Sequence, residues 1–181
     1  IPSVPHVWRA ADGRVDVHAA AAYDGTLRNI IHAWKFERRQ SLARPLARLV
    51  RDRCAGAIAG ADIAVPVPMT PWRKWRRGFN QAEDLAARLA VPRVRALARW
   101  RPRPAQATLP SARRRVNLET SVFVPRWRTA AVRGRIVLLV DDVVTTGATI
   151  EACAAALGQA GAVEVRAVTV ARTMLKSGGV P

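Results

Sequence analysis

The chain has 181 residues, half of them hydrophobic, with 30 Lys and Arg against 13 Asp and Glu for a net charge of +17. That length suits one domain, or a domain with a small addition, with a substantial core. No stretch reaches the roughly 18 apolar residues of a membrane span and no leader pattern opens the chain, so a cytoplasmic protein is expected. Cys54 and Cys153 form no C-x-x-C pair and read as free thiols, while His6, His18 and His32 are too scattered to suggest a metal cluster.

In chain order, residues 1–14 contain Pro2, Pro5 and Gly13 and read as irregular. Residues 15–23 fit a strand, an edge or a short lead-in. Asp24 can cap a helix with Leu27, Ile30, Ile31 and Trp34 on one face. Ser41 can cap a second helix carrying Leu42, Leu46, Leu49 and Val50, with Pro45 acceptable in its first turn. Residues 62–67 form a short apolar strand that stops at Pro66 and Pro68, and residues 69–78 read as a basic loop. Asn80 followed by Glu83 has the spacing of a capping box, ahead of a helix with Ala82, Leu85, Ala86 and Leu89 on one face. Residues 91–100 predict a strand, 101–110 a Pro-rich mobile loop and 111–117 a helical turn. Strands are expected at 122–124, 136–140 and 164–171, with a helix over 150–158. Helices alternating with strands predict an α/β fold, a parallel sheet with helices on both faces.

The run Val137-Leu138-Leu139-Val140-Asp141-Asp142-Val143-Val144-Thr145-Thr146-Gly147-Ala148-Thr149 is the most specific feature. A strand too apolar to be half-exposed delivers two adjacent carboxylates to its carboxyl end, where open α/β sheets bind ligands. A turn of Thr and Gly then offers backbone N–H groups, hydroxyls and a helix N-terminus, a set that suits a phosphate. The two Asp can accept hydrogen bonds from vicinal hydroxyls, and a phosphate beside a diol describes a ribose 5-phosphate. A Walker B strand also ends in acids, but it needs a G-x-x-x-x-G-K-[ST] partner that this chain lacks.

Charge is concentrated as well as high. Residues 72–135 hold 17 Lys and Arg against Glu83, Asp84 and Glu119, and they include four of the six Trp: Trp72, Trp75, Trp100 and Trp127. Interleaved indoles and cations suit a polyanion with stackable bases, single-stranded nucleic acid foremost. A GC-rich genome explains Arg over Lys but not the clustering; a merely basic surface or a pyrophosphate site remain alternatives. Arg73, Lys74, Arg76 and Arg77 are the candidate polyanion contacts. Trp72 or Trp75 either stacks on a base or packs on the core to anchor the loop.

The Asp141–Thr149 run closely resembles the PRPP-binding motif of the type I phosphoribosyltransferases. The resemblance implies that Asp141 and Asp142 hold the ribose hydroxyls, with Mg²⁺ either on them or carried by PRPP. It implies that Thr145, Thr146, Gly147, Ala148 and Thr149 wrap the 5-phosphate. Three further stretches extend the match to the ComF family of competence-associated proteins over about residues 20–172. They are the lead-in Tyr23-Asp24-Gly25-x-Leu27-Arg28-x-x-Ile31-x-x-x-Lys35-Phe36, the string Arg77-Gly78-Phe79-Asn80-Gln81, and Gln106, Leu109, Arg113 and Asn117. That family looks like a phosphoribosyltransferase fold that binds PRPP and takes part in bacterial DNA uptake. The resemblance implies a single domain over 1–181, pyrophosphate contacts from Arg73 to Gly78, and a mobile hood over 101–118 bearing Arg113. Members often carry an N-terminal cysteine cluster for zinc. This chain has none, by truncation or by descent, and residues 1–20 then read as an irregular lead-in left from such a segment.

Two functions are consistent with these residues. One is a PRPP-binding protein of DNA uptake and natural transformation, handling incoming single-stranded DNA beside other competence proteins such as a helicase or recombination mediator. The other is a working phosphoribosyltransferase of nucleotide salvage or synthesis. A salvage enzyme is expected to carry a base-stacking aromatic soon after the last strand, and residues 172–181 contain none. No catalytic base for an acceptor is identifiable.

Overall fold

Apolar runs become strands at the centre of the molecule. The computed structural model describes residues 6–9, 15–37, 39–99 and 121–173. A five-stranded sheet has the order β1-β2-β7-β6-β3, formed by β1 (His6–Arg9), β2 (Asp16–Ala22), β3 (Ile63–Pro66), β6 (Ile136–Val144) and β7 (Glu164–Arg172). Four of these strands run parallel, and β1 pairs antiparallel on the outer side of β2. The expected α/β architecture is therefore present. Two sequence expectations change here: residues 6–9 form a strand rather than irregular chain, and β2 lies inside the sheet. Burial on both sides explains why β2 contains Ala19, Ala20, Ala21 and Ala22, all buried, without polar alternation. A short pair, β4 (Ala98–Arg99) with β5 (Val122–Phe123), stands apart from the main sheet. The strand expected over 91–100 reduces to β4 and an isolated bridge from Arg93 to Ala64: Pro92 has no N–H to offer a ladder, and Ala96 and Leu97 are buried in the core outside any strand.

Alternation along β6 divides the core into two layers. Val137 and Leu139 enter one layer with Ile150, Cys153 and Leu157 of α6 (Ala148–Gln159). Leu138 and Val140 enter the other, which α1 (Gly25–Phe36), α2 (Ala43–Arg53), α3 (Ala55–Ile58) and α5 (Gln81–Ala86) cover through Ile31, Trp34, Leu46, Val50, Ala57 and Leu85. Asp24 stands at the start of α1 as expected, yet makes no side-chain capping bond. Ser41 is not the cap of α2: it lies in a 3-10 turn, Gln40–Leu42, that feeds the helix directly. The capping box at Asn80 is half-built. Asn80 Oδ1 accepts from the Ala82 N–H at 3.1 Å, while Glu83 turns away to Arg95 at 2.8 Å. The hood expected over 101–118, including Gln106, Leu109, Arg113 and Asn117, lies outside the described residues.

Candidate functional site

A cleft of about 410 Å³ opens where the parallel strands end. Tyr23 follows β2; Val67, Pro68 and Met69 follow β3; Asp141, Asp142 and Val143 close β6; Thr173 follows β7. Lys35 at the end of α1 and Arg99 of β4 line it too. So do Arg73 and Arg77 of a further helix, α4 (Pro71–Arg77).

Both acids reach this cleft, from opposite sides of the strand. Alternation turns Asp142 toward α1, where its Oδ2 meets Lys35 Nζ at 2.9 Å with both side chains largely buried. Asp141 faces the α6 side, close enough to Cys153 and Arg99 for their charges to couple. Desolvation, followed by the neighbouring Asp142 charge, pushes the Asp141 carboxyl up to about 7 from its ordinary 3.8. The Asp142 N–H donates to Asp141 Oδ1 at 2.8 Å and opposes that rise in part. Burial pushes the Cys153 thiol up as well, and Cys54, also buried, up to about 11, so both stay protonated.

The loop after the acids has the form its composition predicts, although β6 continues to Val144 before it turns. Gly147 sits at φ 85°, a left-handed conformation that glycine adopts at little cost, and it starts α6. Thr145, Thr146, Gly147, Ala148 and Thr149 line a hollow of about 50 Å³ with Asp141 as a shared wall. Thr145 and Thr149 also face the main cleft. Unpaired N–H groups at the start of a 12-residue helix make this hollow suited to an anion.

The basic stretch is a helix, not the loop expected over 69–78. Pro71 fits a first helical position, where no N–H is needed, and Gly78 at φ 82° stops the helix. Residues 72–77 lack an apolar stripe because this helix has little core to meet. Helical winding separates its residues by role. Arg73 and Arg77, four apart, line the cleft. Trp72 and Trp75, three apart, are 53% and 76% exposed, so neither anchors the helix to the core. Their rings stack on each other at 5.3 Å and 26°. Arg77 lies 5.0 Å over the Phe36 ring and donates to Gln81 Oε1 at 3.4 Å. Desolvation lowers its pKa, with Asp142 acting in the opposite sense. Arg76 and Gly78 do not line the cleft; both are exposed. The Lys74 side chain and Arg113 lie outside the described residues.

Several lining residues have no cleft role that the sequence alone assigns. Asn80 donates to the Val67 carbonyl at 3.1 Å and so ties the exit of β3 to the start of α5. Lys35 stood in the lead-in string without a role. Arg99, whose pKa desolvation lowers, had no local signal at all.

Residues 75–177 match the phosphoribosyl transferase domain family. The DNA utilization protein YhgH of Escherichia coli K12 is 34% identical over 170 residues, 85% of this chain and 70% of that protein. Competence protein F of Haemophilus influenzae is 31% identical over 153 residues, 79% of this chain and 66% of that protein. A solved structure described as the allosteric regulatory enzyme of purine biosynthesis aligns with a TM-score of 0.49 at 22% identity, over 72% of this chain and 26% of that one. Among the described residues no helix is long and apolar enough to cross a membrane. The acid-pair strand, its Thr–Gly loop, the family match and the two named relatives agree: the chain belongs to the phosphoribosyl transferase domain family, in its ComF group.

Proposed function

We propose that the cleft binds PRPP with Mg²⁺ and that the protein serves DNA uptake, handling single-stranded DNA. One observation carries the ligand assignment: acid pair and arginine wall line one cleft, and the anion hollow adjoins it through Asp141, Thr145 and Thr149. In this reading the 5-phosphate lies in the hollow of Thr145–Thr149 and the ribose hydroxyls on Asp141 and Asp142. The pyrophosphate meets Arg73, Arg77 and Arg99. Charge build-up on a pyrophosphate is stabilised best by guanidinium groups in a partly desolvated wall. The donor set fits Mg²⁺ on chemical grounds. Two adjacent carboxylates, one pushed up to about 7, are relieved by a hard cation, and Mg²⁺ is commonly held by one or two carboxylates plus substrate phosphates. When bound, Mg²⁺ would neutralise phosphate charge; Lys35 would keep Asp142 oriented. The DNA role rests on the two relatives' names and on the exposed Trp72–Trp75 pair beside Arg73 and Arg76.

Titration calorimetry with PRPP and Mg²⁺ tests the site. The Asp141→Asn/Asp142→Asn variant should lose at least about tenfold in affinity, roughly 1.4 kcal/mol; equal affinity would remove the assignment. The biological role is read from transformation frequency in a deletion strain, complemented by the parent or by that variant, with purine auxotrophy scored beside it. A second reading, transfer of the ribosyl group to a base, has Tyr23 in its favour, an aromatic ring at the cleft. Pyrophosphate release that depends on an added base would establish it.

A further inference from the structure

A second concavity, of about 520 Å³, lies outside the PRPP cleft and shares none of its lining. Arg44, Arg48 and Arg51 of α2 project into it at i, i+4 and i+7, and Arg88, just beyond α5, faces them; Pro45, exposed, supplies apolar surface beside Arg44 and Arg48, while Ala47 is buried beneath. The walls are fixed to each other. Leu46 and Val50 of α2 share one buried cluster with Leu85 and Leu89, and Arg51 Nη1 donates to the Arg88 carbonyl at 3.3 Å.

Two of the four guanidiniums are paired with carboxylates, Arg48 with Asp52 at 3.8 Å and Arg88 with Asp84. Among the described residues Arg44 and Arg51 have no carboxylate partner, and they stand about 10 Å apart along the helix axis. An occupant must therefore bring two separated negative charges and an apolar group to lie between them. A nucleic-acid strand brings the charges, but it gains most from aromatic platforms. No ring lines this groove, whereas two exposed rings stand on α4.

We infer that the α2 groove is a docking site for an acidic peptide segment of a partner protein, with carboxylates on Arg44 and Arg51 and an apolar side chain over Pro45. This goes beyond the PRPP reading and uses none of its residues.

Fluorescence anisotropy with a labelled synthetic peptide, Asp-Asp-Leu-Asp-Asp-Phe, tests it on the full chain. Arg44→Glu/Arg51→Glu should weaken binding at least tenfold, while Arg73→Glu/Arg76→Glu should change it less than threefold. Replacing Leu and Phe of the peptide by Ser should weaken binding at least fivefold. PRPP binding of the groove variant should match the parent, and its Tm should fall by no more than a few degrees, since both residues are exposed and only the Arg51–Arg88 hydrogen bond is lost. Equal losses from the two charge reversals, or indifference to the Ser peptide, would mean non-specific attraction to a basic chain and would overturn the proposal. If the groove variant loses oligothymidylate affinity and keeps the peptide, the groove is a nucleic-acid track instead.

Discussion

Asp141 has to be desolvated and stand beside a second acid to serve this cleft, and that arrangement has a cost that pH exposes. In the unfolded chain it loses its proton near 3.8; in the folded chain it holds it to about 7. Between those values the folded state binds more protons, so stability falls as pH rises from about 4 to about 7 and is level beyond. Asp141→Asn should flatten that part of a Tm-against-pH profile, and at pH 8 it should melt no lower than the parent. An unchanged slope would place the strain on another group. Lys35 has the opposite role. Its pairing with Asp142, both largely buried, means that Lys35→Met leaves a carboxylate uncompensated and should cost about 3 kcal/mol in urea unfolding. Adding Asp142→Asn should restore most of that loss; an additive double variant would mean the two side chains do not interact. The acids were legible in the sequence because five apolar residues led to them. The roles of Lys35 and Arg99 were not, because a charge interaction between distant segments leaves no periodicity for local reading.

At the level of elements, α4 separates a cleft-facing side from a solvent-facing one. Its stacked indoles are exposed, so Trp72→Ala and Trp75→Ala should each change stability by less than about 1 kcal/mol. If a base stacks there, each should cost about 1–3 kcal/mol of oligonucleotide affinity, and added oligonucleotide should quench the parent's fluorescence. Unaltered affinity in both variants would leave the pair without a role in DNA binding. The loop before α6 makes a different demand. Gly147→Ala forces a side chain into a left-handed backbone and should destabilise by about 1–2 kcal/mol while weakening binding of ribose 5-phosphate. Retained stability and affinity would count against that loop geometry. Sequence reading found β6, its loop and α6 because apolar length, glycine and an Ala-rich helix coincide there. It missed α4 because residues 72–77 bury little and show no 3.6-residue stripe, although Pro71 and Gly78 bracket them as helix ends. It missed β1 because a four-residue edge strand is defined by its partner β2, not by its own composition.

On the scale of the whole molecule, the charge excess in residues 72–135 does not act as one undivided patch. Arg73, Arg77 and Arg99 face the cleft, whereas Arg76 faces solvent beside the indoles. If the proposed function holds, a small phosphorylated ligand and a DNA strand would compete for some cations and not for others. Changing Arg73, Lys74, Arg76 and Arg77 together to Ala should flatten the salt dependence of single-stranded DNA binding, by about 0.7 in log–log slope for each phosphate no longer neutralised. Saturating PRPP with Mg²⁺ should flatten the parent's slope by up to about 1.4, because Arg73 and Arg77 are then engaged in the cleft. In Arg73→Ala/Arg77→Ala the slope should already be lowered and PRPP should add nothing. If the fourfold variant keeps the parent's slope, DNA meets another surface. If PRPP leaves the slope unchanged while the fourfold variant lowers it, the strand runs along the outer side of α4 and the two ligands bind independently.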